Sequence, residues 1–393
     1  MDRVWNDLTV PTLEEMRNSG EFEQSLLTMA EQTRSRQNYI VSPVSLRVAL
    51  LLAIEGAEGD TKAALLKAAG FESEIQADAW YRYVKANVDS FAMSKKYLGE
   101  RIQKGFFEKD PSKDMQFRIV NSVWNNSDLR GDFTRAYKSH IREKYDAQAK
   151  SVSGEKLQKE VNRWVSKETD GFIPKIVDDS TNTAAILANA LYLRTAWVKE
   201  FKKANTKKDD FLTADGKTVQ KDYLCKKEKM LYAEKDDENK LVALQLRGDI
   251  LLVAVLGDMG DAADIRSAVG NADELMVNLK LPKIDVENSY DKDILALLKE
   301  RGGELPFTDD ADFSAMVEND RWKIGDIIQK ARMKTDESGL EAAAVSVIQM
   351  FRGAALRPTR QETVKEFIAD RPFKFYVITN NLRSLLFAGG INE

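Results

Sequence analysis

Apolar residues along the 393-residue chain recur first at helical and later at strand spacing. Phe22, Leu26, Leu27 and Ala30 trace one face of a 3.6-residue period, which predicts a helix from residue 22 to about 34. Ser42 and Pro43 read as an N-cap and a first-turn proline opening the helix VSLRVALLLAI. Apolar side chains surround nearly its whole circumference, so it is expected to be a buried central helix. Gly56 and Gly59 punctuate the chain before a helix near residues 61–69, and residues 78–110 read as helical and polar. VNRWVSKETDG, stopped by Gly171, and DKDILALLKERG are further helices. Short runs rich in β-branched and aromatic residues predict strands at 117–124, 185–193, 241–246, 250–256 and 276–281, and in PFKFYVIT and SLLFAGGI. Helices dominate the first half and strands the second, which indicates an α+β protein with large sheets. No internal repeat stands out and the 8 prolines are scattered, favouring one domain over residues 1–393.

The segment from Thr335 to Asp370 breaks this order. A connection of this length between two apolar blocks is usually functional or disordered. Its first half, GLEAAAVSVIQM, is small, apolar and nearly chargeless, and could pair as a strand if a sheet opened to receive it. Its second half carries Arg352, Arg357 and Arg360, each a candidate trypsin-like cleavage point on an exposed loop.

Composition narrows the chemistry. The 59 basic and 63 acidic residues are interspersed and give a net charge of -4, so no global field argues for nucleic acid or membrane, and no apolar stretch reaches the eighteen or so residues of a span. A soluble chain is expected. Lys95, Lys96, Arg101, Lys104 and Lys109 crowd one helical stretch; the plain reading is a solvated face, with a polyanion site as the alternative. MDRVWNDLTV lacks the pattern of a secretory signal, so either the chain stays inside the cell or a signal has been removed. A single cysteine, Cys225, excludes a disulfide framework and any multi-cysteine metal site, and its neighbours DYLCKKEK suggest an inert thiol at a strand end. The single histidine, His140, reads as a surface helix residue beside Tyr137, Ile141 and Tyr145 rather than a catalytic base. Neither GxxxxGK[ST] nor GxGxxG occurs. No enzyme is expected, and no cofactor or metal. Asn125-Asn126-Ser127 is a glycosylation acceptor if the chain is secreted.

Eight motifs in order resemble the serpin family along almost the whole chain: NYIVSPVSLRVALLLAIEGAEGDT, VNRWVSKETDGFIPKIV, LANALYLRTAWVKEF, LKLPKIDVENSYD, ADFSAM, DESGLEAAA, FIADRPFKFYV and LLFAGGI. The resemblance implies an α+β serpin fold of about three β-sheets and eight or nine helices, with an exposed reactive-centre loop over residues 337–367. It implies a monomeric, extracellular suicide-substrate inhibitor of a trypsin-like serine protease, in which the cleaved loop inserts as a new strand of the central sheet. A heparin-like polyanion would use Lys95, Lys96, Arg101 and Lys104. The family's shutter, a polar cluster beneath the central strands, is matched by Ser42, Ser45 and Asn189; its breach, where insertion begins, by Trp197; and a charged pair at the top of the sheet by Lys283 and Glu337.

Several positions depart from the pattern. The hinge reads Glu337-Ser338-Gly339-Leu340-Glu341-Ala342-Ala343-Ala344, with Leu340 where a small hydroxyl residue is expected. As the first residue to enter, the larger side chain is expected to cost about 1 to 3 kcal/mol and to slow insertion. Gln329 occupies the usual shutter histidine position, and Arg247-Gly248-Asp249 replaces Leu-Pro-Tyr with a tripeptide that resembles an adhesion motif. The family's sixteen-residue step from Glu337 gives Gly353 before the scissile bond; Arg352, one residue earlier, suits a trypsin-like enzyme better, followed by Gly353, Arg357 and Arg360. The alternative reading is a noninhibitory serpin with a binding, carrier or regulatory role, whose loop is cleaved without trapping the protease.

Overall fold

The computed structural model describes residues 13–103, 112, 115–129, 131–178, 185–317, 322–340, 364–381 and 384–393. Ser42 caps the central helix as its sequence predicts, its side chain accepting from the Ser45 amide ahead of a proline in the first turn. Among the described residues there are eight α-helices: α1 (Leu13–Thr33), α2 (Pro43–Gly56), α3 (Gly59–Ala68), α4 (Glu74–Gln103), α5 (Arg135–Tyr145), α6 (Gly154–Glu168), α7 (Ala262–Gly270) and α8 (Lys292–Gly302). Every residue of α2 except Glu55 is buried. A helix apolar all round needs neighbours all round, and α2 has them in α3, α5 and strands of both sheets.

The larger sheet has the order β1 (Tyr39–Val41), β15 (Leu385–Ile391), β14 (Phe373–Thr379), β8 (Ile250–Leu256), β7 (Lys240–Leu246), β6 (Thr218–Glu234), β9 (Asp273–Pro282) and β13 (Lys365–Ile368), with β5 (Lys207–Leu212) paired to the start of β6. This ladder holds two of the three expected sheets, joined because β6 is long enough to belong to both. Its first residues pair with β5, its middle with β9 and its last four with β7.

The smaller sheet has the order β10 (Asp285–Tyr290), β11 (Asp326–Lys334), β4 (Ala185–Ala196), β2 (Gln116–Asn126) and β3 (Gln148–Val152), with a two-residue strand β12 (Gly339–Leu340) on β4. One face is covered by α6, whose Leu157, Val161, Trp164 and Val165 pack on Trp124, Ile186, Ala188 and Ala190. Buried on both faces, β4 reads as a near-continuous apolar run.

Three local expectations resolve here. Asn125 is fully buried in β2 and its amide donates to the Gly131 carbonyl at 2.5 Å, so the acceptor triplet is not an accessible glycosylation site. Arg247-Gly248-Asp249 is the turn between β7 and β8: Gly248 has φ +81° and Asp249 φ +60°, and a Cβ at Gly248 would lie 2.2 Å from the Phe91 ring. Cys225 stands in the middle of β6 rather than at a strand end, half-buried, and burial pushes its thiol pKa up, which fits an inert side chain.

Candidate functional site

The seam between β4 and β11 is where the fold leaves a strand's worth of space. The two run parallel and pair directly only from Asp326 on Ile186 to Gln329 on Asn189. Above that point each strand continues, β11 against β10 and β4 against β2. Their facing edges, residues 190–194 and 330–334, have no ladder partner on that side among the described residues. At the top β12 lies between them: Gly339 pairs with Ala196, Leu340 with Thr195, and Leu340 also bridges to Thr335. Two strands in direct contact at one end and one strand apart at the other form a wedge, widening from about 4.8 Å to about 10 Å.

The turn that delivers β12 is built by Asp336. Its carboxylate accepts from the amides of Ser338 (2.7 Å) and Gly339 (3.2 Å) and from the Ser338 hydroxyl (2.6 Å). Gly339 must be glycine, because a Cβ there would meet the Thr195 carbonyl at 2.3 Å. Leu340 is 2 % exposed and joins the apolar core between the sheets. Leu340, the hinge residue expected to slow entry, is thus already seated beside Thr195 at the top of β4.

Trp197 buttresses this turn from the end of β4. Its amide donates to Ser338 O (3.0 Å), its indole Nε1 to Asp336 O (2.8 Å), and its ring meets the edge of Phe201. The Phe201 amide donates to Glu337 O (2.8 Å). The Glu337 carboxylate receives Lys283 Nζ at 2.8 Å and the Thr206 hydroxyl at 2.7 Å. Burial pushes the Glu337 carboxyl up, but the hydrogen bonds from Lys283 and Thr206 outweigh it and hold the group below the usual carboxylate range.

At the lower end the polar side chains separate into two groups. Gln329 places its amide on the Ser42 peptide, accepting from its N–H (3.1 Å) and donating to its carbonyl (2.7 Å). The Ser42 hydroxyl donates to Leu386 O at 2.6 Å, and Ser45 donates its amide to that hydroxyl at 3.3 Å. Asn189 instead donates its side-chain amide to Asn121 on β2, and its side-chain oxygen Oδ1 is buried without a partner. No side-chain hydrogen bond thus ties β11 to β4 at Asn189 and Gln329.

The geometry brings Glu337, Gly339, Leu340, Trp197 and Lys283 together at the top and Ser42, Ser45, Asn189 and Gln329 together at the bottom. Glu341, Ala342, Ala343, Ala344, Arg352, Gly353, Arg357 and Arg360 lie outside the described residues, as does Lys104. On α4, Lys96 and Arg101 are exposed, while Lys95 donates to Met115 O at 2.6 Å. Sequence reasoning missed Thr206, Thr195 and Asp336. Only Asp336 carried a signal, an Asx-turn pattern in Asp-Glu-Ser-Gly.

The family model described as Serpin (serine protease inhibitor) matches residues 17–393. The chain belongs to the serpin family. The family is described by serine protease inhibition rather than by catalysis, and the chain is not an enzyme. The chain is 29 % identical over 386 residues to Serpin-Z1C of Triticum aestivum, covering 90 % of this chain and 89 % of that one. The structure of Serpin48, a highly specific serpin of the insect Tenebrio molitor, matches with a TM-score of 0.75 and 25 % identity over 98 % of this chain and 99 % of that one. The structure of human thyroxine-binding globulin complexed with thyroxine matches with a TM-score of 0.77 and 19 % identity over 97 % of this chain and 99 % of that one. No helix among the described residues is long and apolar enough to cross a membrane.

The seat of Leu340 in this serpin gives a direct prediction. Leu340→Thr removes most of the buried apolar surface that holds β12, worth about 1.5 to 3 kcal/mol. Hydrogen exchange at the Trp197 and Phe201 amides, which donate to Ser338 and Glu337, is expected to quicken by more than about tenfold through local opening. Unchanged exchange would show that the side chain does not hold the turn.

Proposed function

We propose that this single-domain serpin is a suicide-substrate inhibitor of a trypsin-like serine protease, offering the loop over residues 337–367 as bait and taking it, once cleaved, into the seam between β4 and β11. The observation that carries this reading is the wedge, one strand wide at the top and already entered by β12. Insertion would extend a strand from Leu340 downward instead of starting one, which favours a fast closure over deacylation. On this reading Glu337, Gly339 and Leu340, continuing through Glu341, Ala342, Ala343 and Ala344, form the hinge. Trp197 and Lys283 form the breach. Ser42, Ser45, Asn189 and Gln329 form the shutter.

Arg352 is the favoured residue before the scissile bond, ahead of Gly353, Arg357 and Arg360. The protein acts as a monomer outside the cell, and the exposed Lys96 and Arg101 offer a heparin-like polyanion two of the four cations of that site.

Incubation with trypsin is expected to give a product of summed mass that survives denaturing electrophoresis, and Arg352→Ala to reduce its yield at least tenfold. Complete turnover to cleaved protein, with no such product from any of several trypsin-like enzymes, would overturn the inhibitory reading in favour of a noninhibitory binding or carrier role.

A further inference from the structure

The segment that links the end of β4 to β5 has a charge unlike the rest of the chain. Residues 199–208, KEFKKANTKK, hold five lysines and one glutamate, in a protein whose net charge is -4. Lys199, Lys202, Lys203, Lys207 and Lys208 are all exposed, and none forms an ion pair with a described residue. Neighbouring cations are engaged: Lys226 with Glu228 at 2.9 Å and with Lys199 O at 3.0 Å, Lys280 with Asp209 at 2.6 Å, and Lys283 with Glu337. Five lysines within ten residues repel one another, with Asp209 and Asp210 following directly and Asp222 across the ladder from Lys208 as the nearest opposing charges in the chain and the ladder. Solubility alone would be served as well by the mixed charges found elsewhere.

Position supplies the reason. This segment carries Phe201 and Thr206, which bond to Glu337 directly beneath the start of the loop. The loop returns at β13, which pairs with β9, and β9 pairs with the same β6 strand that holds β5. The lysine segment therefore adjoins the point where the loop leaves the body after Leu340, and β6 and β9 stand between β5 and the strand at which the chain returns. Twelve residues separate Leu340 from Arg352, so that bond stays within about 40 Å of the turn.

We propose that Lys199, Lys202, Lys203, Lys207 and Lys208 form an accessory docking surface for the acidic face of an attacking protease, separate from the loop sequence that its active site reads. The proposal rests on the protease-bait reading, but only on its first step, engagement of the loop. Charge at the rim of an interface acts on encounter, raising association rates by about 10- to 1,000-fold at low ionic strength while leaving dissociation little changed.

The test compares an anionic and a cationic trypsin, which share a cleavage preference, by the second-order rate of loop cleavage whether or not a stable complex follows. The wild-type protein is expected to react faster with the anionic enzyme at low salt, by about tenfold or more, and to lose that advantage as salt rises. The combined variant Lys202→Ala, Lys203→Ala, Lys207→Ala and Lys208→Ala should lose it at low salt too, with an unchanged melting temperature and an unchanged rate with the cationic enzyme. Equal rates with both trypsins, or a variant indistinguishable from wild type, overturn the proposal. So does heparin retention that the variant loses without any discrimination between trypsins, which would assign the surface to a polyanion. Turnover without a trapped complex would sink the inhibitory reading and leave the rate comparison intact. Absence of cleavage within 341–363 by either enzyme would sink both.

Discussion

Cleavage after Arg352 is expected to raise the melting temperature by more than about 10 °C. The edges of β4 and β11 that face each other over residues 190–194 and 330–334 can each take a full ladder from a strand running down from Leu340. Such a strand would be antiparallel to both neighbours, the better-aligned of the two pairing geometries. About ten backbone hydrogen bonds at about 1 kcal/mol each give about 10 kcal/mol. With period two, Ala342, Ala344, Ser346, Ile348 and Met350 follow Leu340 onto its buried face, so apolar burial adds to this. In a chain of this size each kcal/mol moves the midpoint by about 1 to 2 °C. Scanning calorimetry of intact and trypsin-nicked protein reads the difference. An unchanged midpoint would mean that the seam does not accept the loop.

Arg47→Ala is expected to lower stability by about 3 to 5 kcal/mol, measured by chemical denaturation. Arg47 stands on α2 with 1 % exposure, its guanidinium 4.6 Å from the ring centre of Phe71, 4.9 Å from that of Phe22 and 5.1 Å from that of Trp80. Nε donates to Ala69 O (2.9 Å) and a terminal nitrogen to Gly70 O (3.3 Å), so one side chain satisfies the carbonyls that end α3. Burial pulls its pKa down to about 10, with the nearby Glu23 carboxylate opposing, so the group stays charged at neutral pH. Truncation would take the donors from the buried Ala69 carbonyl and the half-buried Gly70 carbonyl and leave a cavity between three aromatic rings. Arg47→Lys should recover little, because an ammonium cannot stack on the rings and bond both carbonyls together. A loss under about 1 kcal/mol would show that the three helices do not depend on this contact.

Much of the architecture was legible because its signals are local. Ser42-Pro43 and an unbroken apolar circumference mark α2, and the dense runs of β4, β8 and β14 mark strands buried on both faces. The unread elements had their signals diluted. β6 spans 17 residues, yet it carries charge at exposed Asp222, Lys227 and Lys229 and at half-buried Lys221 and Glu228, and that charge hides the alternation. α7 is a 9-residue helix whose Asp261 capping box uses Asp264 where a glutamate would advertise it.

At the candidate site the residue identities were readable and their partners were not. Gln329 bonds to a backbone peptide 287 positions away, and no side-chain pattern announces that. The burial of Leu340 depends on a wedge between two strands that meet only after the chain has folded, so its sequence context reads as an obstacle. Asn125 fails as an acceptor for the same reason, since a three-residue motif says nothing of depth.

The two hydrogen bonds between the Gln329 side-chain amide and the Ser42 backbone decide what must travel together when the seam widens. Asn189 is tied to β2 and Gln329 to the first turn of α2, which Ser42 in turn fastens to β15 through Leu386. The parting line therefore runs between these two side chains, with β4, β2 and β3 as one rigid block. The opposite block carries β11, β10 and the front of α2. Parting the blocks unzips the short backbone ladder of Asp326–Gln329 on Ile186–Asn189 and shears the apolar contact of α2 on β4, and no side-chain hydrogen bond between Gln329 and Asn189 has to break first.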